Sequence, residues 1–135
     1  MLRTSVCQQL FPHVPVEIRY YGDDVNYEFV LLEAINQFRP EDQKPMTYNT
    51  TLEKEAKEAS LNSHLRKEPN SFYVTLPISK RKFNDDPVFV FKRAFKSIRN
   101  EVTAMWNRTS TYQIGCDVDV YKNTLFILRI LCMFK

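Results

Sequence analysis

The stretch EVTAMWNRTSTYQIGC, residues 101–116, contains the chain's only tryptophan, Trp106, one of its two glycines, Gly115, and one of its three cysteines, Cys116. A chain this poor in glycine has a physical reason for each one. At Gly115, between Ile114 and Cys116, the strand entered at Tyr112 is expected to pass so close to a neighbouring backbone that a side chain would obstruct it. Trp106, read here as the end of a preceding strand, is expected to supply much of the apolar area that seals helix to sheet.

Outward from that segment, YQIGCDVDVYKNTLFILRILCMFK reads as a hairpin. Ile114, Cys116, Val118 and Val120 alternate with Asp117 and Asp119, YKNT turns, and LFILRILCMF returns as a mostly buried strand. Before it, DDPVFVFKRAFKSIRN predicts a helix with Asp86 as N-cap, Pro87 at its first position and Lys96 and Arg99 near its end. Val88, Phe91, Phe95 and Ile98 form its inner face. SFYVTLPIS predicts a short strand ended by Pro77.

Two helices precede these elements. VNYEFVLLEAINQFRPED carries an apolar stripe at Val30, Leu31, Ala34, Ile35 and Phe38 and stops at Pro40. YNTTLEKEAKEASLNSHLRK opens with Thr50 three residues before Glu53, a capping-box spacing, and its stripe of Leu52, Ala56 and Ala59 is narrow enough for close packing. Residues 1–24, with Pro12, Pro15 and the YYGDD break, read as an extended lead-in with a short strand at VEIRYY. The expected class is α+β: one domain over residues 25–135, with helices on a small antiparallel sheet.

Composition narrows the function. The chain has 135 residues, 44% hydrophobic and 26% charged, enough for one domain with its own core. Its net charge of +3 makes no case for nucleic acid by itself. With only Gly22 and Gly115, no phosphate-cradling loop or dinucleotide fingerprint can be built. No apolar run approaches the roughly 18 residues of a membrane span, and Gln8, Gln9, Pro12 and Pro15 interrupt any export signal at the start. Cys7, Cys116 and Cys132 offer no CxxC pair or zinc spacing, and the odd count leaves either three free thiols or one disulfide and a free thiol. A cysteine nucleophile would need His13 or His64 as its base, the only two histidines, and an inward-facing Cys116 suits a core better.

Four pieces, in order, carry a family resemblance. VTAMWNRTSTYQIGC resembles the His-Phe-Thr…Trp…Ile/Val-Gly-Cys signature of the CAP superfamily, which includes cysteine-rich secretory, antigen 5 and pathogenesis-related 1 proteins. LLEAINQFRP, with Asn36 and Arg39, is similar to the family's first helix, MTYNTTLEKEAKEAS to its second, and NTLFILRILCMF to its closing strand. The resemblance implies an α-β-α sandwich and a non-enzymatic role in binding a lipid, a sterol or a protein. It also implies a Cys116–Cys132 disulfide if the protein is exported. The family is mostly extracellular with a leaderless Golgi-associated branch, so either an extracellular or an intracellular location is compatible with it.

The departures concern the family's central cleft of two histidines and two glutamates. Glu101, or Asn100, stands where one histidine belongs, and Ser97 where a helical glutamate belongs. Glu68 in EPNSF and His64 in LNSHLRK are the remaining counterparts. One imidazole with one or two carboxylates does not make a zinc site, so the cleft is expected to be eroded, with no metal and no cofactor. Phe91, Phe95, Met105 and Trp106 are the expected apolar ligand walls, or simply core. A second reading comes from Lys80, Arg81, Lys82, Lys92, Arg93, Lys96 and Arg99, interleaved with phenylalanines. That pattern suits a small basic adaptor binding nucleic acid or anionic membrane through residues 80–99, or an ordinary solvated helix face. Two sequons, Asn49-Thr-Thr and Asn107-Arg-Thr, would accept glycans in the secretory pathway.

Overall fold

A computed structural model describes residues 27–61, 70–79, 86–122 and 126–135. The proposed lead-in, its VEIRYY strand, Cys7, His13, His64, Glu68 and Lys80–Lys82 lie outside the described residues. Among the described residues the chain forms α1 (Tyr27–Asn36), β1 (Thr47–Tyr48), α2 (Thr50–Leu61), β2 (Ser71–Ile78), α3 (Pro87–Lys96), α4 (Arg99–Met105), β3 (Gln113–Lys122) and β4 (Phe126–Phe134). The sheet order is β1-β3-β4-β2. β3–β4 and β4–β2 are antiparallel, and β1 adds a two-residue parallel edge to β3, so the sheet is mixed and not purely antiparallel.

Strand alternation divides the side chains between two layers. Ile114, Cys116, Leu128, Ile130, Cys132, Phe134, Phe72 and Val74 share one face and are buried with α1, α3 and α4. Leu131 shares the opposite face with Ala56 and Ala59 of α2, beside Tyr73 and Met133. The result is a helix–sheet–helix sandwich, the expected α+β architecture. Phe91, Phe95, Leu31, Ile35, Met105 and Ile114 are among the largest side chains removed from water on the first face. Phe72 joins the layers, with the Phe95 ring edge-on at 6.2 Å and the Phe134 ring tilted at 6.3 Å.

Gly115 is where the second layer touches the sheet. A Cβ there would stand 2.2 Å from the Glu53 nitrogen, 2.5 Å from the Asn49 carbonyl oxygen and 2.7 Å from the Leu52 carbonyl carbon. All three are backbone atoms of the cap and first turn of α2, so the neighbouring backbone inferred from sequence is the start of the second helix. The small residues Ala56 and Ala59 extend this close approach along β3 and β4.

Several local expectations change. The cap of α2 is Asn49, not Thr50: its Oδ1 accepts from the N–H groups of Thr51 at 2.8 Å and Leu52 at 3.2 Å. Trp106 ends a helix, α4, and not a strand. Its Nε1 donates to the Lys44 carbonyl at 2.8 Å, so one buried ring fixes the α1–β1 loop to the end of α4. The helix expected from Pro87 to the arginine at 99 breaks at Ile98, whose φ of −124° and ψ of 37° leave the helical region before α4 restarts. Asp86 caps α3 as expected, accepting from the Phe89 N–H at 3.0 Å. Pro77 lies within β2 and does not end it, because β2 is an edge strand whose outward positions need no N–H.

The two residues that carried the first-helix resemblance have structural tasks. Asn36 accepts from the Met46 N–H at 2.9 Å and donates to the Met46 carbonyl at 3.3 Å, imitating a strand partner for the loop before β1. Arg39 donates to the Gln43 carbonyl at 2.6 Å within the same loop.

Candidate functional site

The residues singled out from sequence do not form one cluster among the described residues. Phe91 and Phe95 are completely buried, and Met105 and Trp106 almost so. They are core packing for the sheet. Ser97 is exposed between α3 and α4, with its hydroxyl donating to the Ala94 carbonyl at 2.6 Å. Glu101 is exposed in the first turn of α4. Among the described residues no group of three or more His, Cys, Asp or Glu side chains could hold a metal ion. Of the basic residues, Lys92 faces Glu33 at 3.9 Å, while Arg93, Lys96 and Arg99 are exposed.

The sulfurs of Cys116 and Cys132 are bonded to each other, joining directly opposed residues of β3 and β4 whose Cα atoms are 4.1 Å apart. The bridge lies in the main core, and each half is almost fully buried.

Beneath α2 the sheet carries a polar cluster. Arg129 stands directly opposite Asp119 across β3–β4 and donates to its Oδ2 at 2.7 Å. The same guanidinium nitrogen donates to the Ser60 hydroxyl of α2 at 2.7 Å. Asp117, two residues before Asp119 on the same face, has its carboxyl raised to about 6. Burial is the main cause, followed by the neighbouring Asp119 carboxylate, while Ser60 and Arg129 pull the other way. Asp117 therefore holds its proton to a higher pH than an exposed carboxyl does. A lone arginine within the apolar run LFILRILC was the sequence signal for this cluster.

The sign of the resulting pH dependence follows from the direction of the shift. A carboxyl whose folded pKa lies above its unfolded value contributes stability that is fully present below the unfolded pKa near 3.8 and is lost as pH rises through about 6. Asp117→Asn, which keeps the hydrogen bonds without the charge, should flatten this window and stabilise the fold at neutral pH. With the partial exposure of the group discounted, the gain is about 1 kcal/mol. Urea unfolding of both proteins from pH 4 to pH 8 checks it.

A second polar pair closes the β1 edge. The Tyr48 hydroxyl hydrogen-bonds the Glu53 carboxylate, lies 3.2 Å from the Cys116 carbonyl and accepts from the Cys116 N–H at 3.3 Å. One side chain thus satisfies the edge groups of β3 just beyond the reach of the two-residue β1. Burial, then the Glu53 contact, pushes its phenol well above the ordinary range.

A concave apolar feature lies elsewhere, between the end of β2 and the start of α3. It is a cavity of about 150 Å³ lined by Leu76, Pro77, Ile78, Ser79, Phe89, Val90 and Arg93. Phe89, 45% exposed, is one of the largest apolar side chains left in contact with water. Leu76 is only half-buried although it belongs to the core face. The groove touches none of the ligand walls expected from sequence, because the stripe Phe91–Phe95 faces the sheet and Phe89 lies on the neighbouring flank of the helix. Its lining is mixed, with apolar walls beside Ser79 and the Arg93 guanidinium, a combination suited to an apolar group attached to an anionic one.

No protein-family model, curated protein or solved structure matches the chain. No helix among the described residues is long and apolar enough to cross a membrane.

Proposed function

We propose that the chain is a divergent CAP-like, non-enzymatic binding protein that takes the apolar end of a lipid, sterol or protein ligand into the groove between β2 and α3. The carrying observation is the groove itself, with Leu76, Ile78, Phe89 and Val90 as walls and Arg93 at its rim. At about 150 Å³ it is below the roughly 300–1,000 Å³ of sites that enclose a whole small molecule, so it suits a side chain or the end of an acyl chain. Kinship is supported by Gly115 meeting the second helix, and by the terminal hairpin lying between helices with Trp106, at the end of α4, buried in the same core.

The test is titration of the full chain with a fluorescent fatty acid, a sterol, single-stranded RNA and anionic vesicles, each at low and high salt. Fatty-acid or sterol binding that is insensitive to salt and lost in Phe89→Asp supports the groove. Exposed Arg93, Lys96 and Arg99 sustain the second reading, a basic adaptor, for which binding to RNA or vesicles would fall steeply with salt.

An exported location fits the bonded Cys116–Cys132 pair, since disulfides persist in oxidising compartments. In a secretory host the folded product should carry a glycan at Asn107 and none at Asn49. Asn107 is exposed after α4, whereas the Asn49 amide donates to Gln113 at 3.0 Å and its oxygen caps α2. Intact mass of the wild type and of Asn107→Gln reads the outcome.

A further inference from the structure

We infer that Asn107 is a glycan-acceptor site open only until β4 docks, because the hydroxyl that makes it an acceptor also latches that strand. The inference rests on the exported location proposed above and adds the order in which modification and folding occur.

The acceptor triplet is Asn107-Arg108-Thr109, and the hydroxyl of its third residue is the group that a glycosyltransferase must engage. In the folded chain that hydroxyl is committed. A threonine hydroxyl has one proton to give, and Thr109 gives it to the Lys135 main-chain oxygen at 2.7 Å while accepting from the Tyr112 N–H at 3.0 Å. Tyr112 takes a φ of 55°, in the left-handed region, where the chain turns back from α4 into β3. The same Lys135 oxygen accepts from the Thr111 hydroxyl at 2.7 Å and the Thr111 N–H at 3.2 Å. The backbone of the triplet is engaged as well. The Asn107 N–H donates to the Ala104 carbonyl at 3.0 Å, and the Arg108 and Thr109 N–H groups donate to the Met105 carbonyl at 2.9 Å. Only the Asn107 side chain stays exposed, so a glycan already in place leaves the latch free to close.

Docking of β4 sets this latch. Cys116 stands opposite Cys132 and Ile114 opposite Phe134, and the bridge between the two cysteines fixes that register. Lys135 continues the ladder: its N–H donates to the Gln113 carbonyl at 3.1 Å, and its oxygen accepts from the Gln113 N–H at 3.4 Å. Closing the bridge therefore carries the Lys135 oxygen to Thr109. β4 lies between β3 and β2, so the latch closes together with the centre of the sheet. Before that moment the triplet is a substrate, and afterwards it is not.

The co-reactant is a lipid-linked glycosyl diphosphate. The Asn107 Nδ2 bonds to its anomeric carbon, the bond from that carbon to the diphosphate breaks, and the diphosphate leaves with the electron pair. One amide proton passes to a base of the transferase. No electrons are exchanged, so oxidation of the cysteines and transfer of the glycan are separate reactions competing in time.

The experiment incubates the purified full chain with solubilised oligosaccharyltransferase and the lipid-linked donor, and follows intact mass. The folded, bridged chain should be modified about tenfold or more slowly than the reduced chain in urea diluted into the same reaction. The double variant Asn107→Gln, Arg108→Asn shifts the triplet by one residue. Its third position is then Ser110, which is exposed and whose hydroxyl has no partner among the described residues. The folded-to-unfolded rate ratio of this variant should rise about tenfold over that of the wild type. Thr111→Val leaves the original triplet intact and removes a hydroxyl from the Lys135 oxygen, so the folded chain should accept about threefold faster or more. If the shifted variant does not fold by circular dichroism, Thr111→Val decides. The proposal is overturned if the folded wild type is modified as fast as the unfolded chain, if the shifted triplet is as refractory as the original, or if Thr111→Val leaves the rate unchanged. Purified chain is used throughout, so such a failure counts against the latch and not against export, which the glycan state of the protein from its native cells reads separately.

Discussion

Replacing Gly115 by alanine should cost at least about 3 kcal/mol, the upper end of what overpacking a core costs, and Gly115→Val should not fold. The added methyl meets backbone of α2 at three points, the nearest at 2.2 Å, and backbone cannot rotate aside as a flexible side chain can. Relief requires α2 to lift from β3. That would loosen the Asn49 N–H bond to the Ile114 carbonyl at 2.9 Å and the Tyr48 contact with Cys116. It would also expose Leu131, now 1% accessible, beneath Ala56 and Ala59. The measurement is urea unfolding by circular dichroism. An Ala59→Gly companion, which makes room about two turns too far along the helix, should not rescue the variant.

Arg129→Met should destabilise by about 3–5 kcal/mol, because it strands the Asp119 carboxylate under α2 without its opposing cation. Arg129 and Asp119 side chains are only 16% and 14% exposed, and their 2.7 Å contact is the shorter of the two ion pairs described, so solvent screens it little. The arginine also holds the Ser60 hydroxyl, so its loss unfastens α2 from the sheet as well as unbalancing charge. Pairing Arg129→Met with Asp119→Leu should recover most of the loss, since removing both members of a buried pair costs far less than removing one. By contrast, Lys92→Met at the half-exposed contact with Glu33 should change stability by less than about 1 kcal/mol.

These two sites also show how far the sequence could be read. A single glycine between Ile114 and Cys116 was interpretable because a missing Cβ has few purposes inside a strand. Asp86 followed by Pro87 marked the start of α3, as both chemistries belong only at a helix entry. The alternating hairpin likewise announced its buried face. β1 was not legible: two residues carry no periodicity, and its parallel pairing joins Thr47 to Gln113 across most of the domain. EVTAMW was misread as strand because its β-branched and aromatic residues satisfy either period over so short a span, and tertiary burial of Val102, Met105 and Trp106 selected helix. Thr50 and Asn49 both offer a capping oxygen, and only the bond from Asn49 to Gln113 explains which is used. The groove is formed by long-range juxtaposition of β2 with α3. Phe89, off the inward stripe of its helix, was its one trace in the sequence.

The claim that ties fold to function is that the β2–α3 groove receives the apolar part of a ligand. Amide spectra of isotopically labelled full chain, recorded during titration with a fatty acid, test it directly. Saturable shifts should concentrate at Leu76–Ser79 and Phe89–Arg93, unchanged at high salt. Shifts confined to the exposed cations Lys96 and Arg99 that vanish at high salt, or no saturable shifts in the groove, would contradict it.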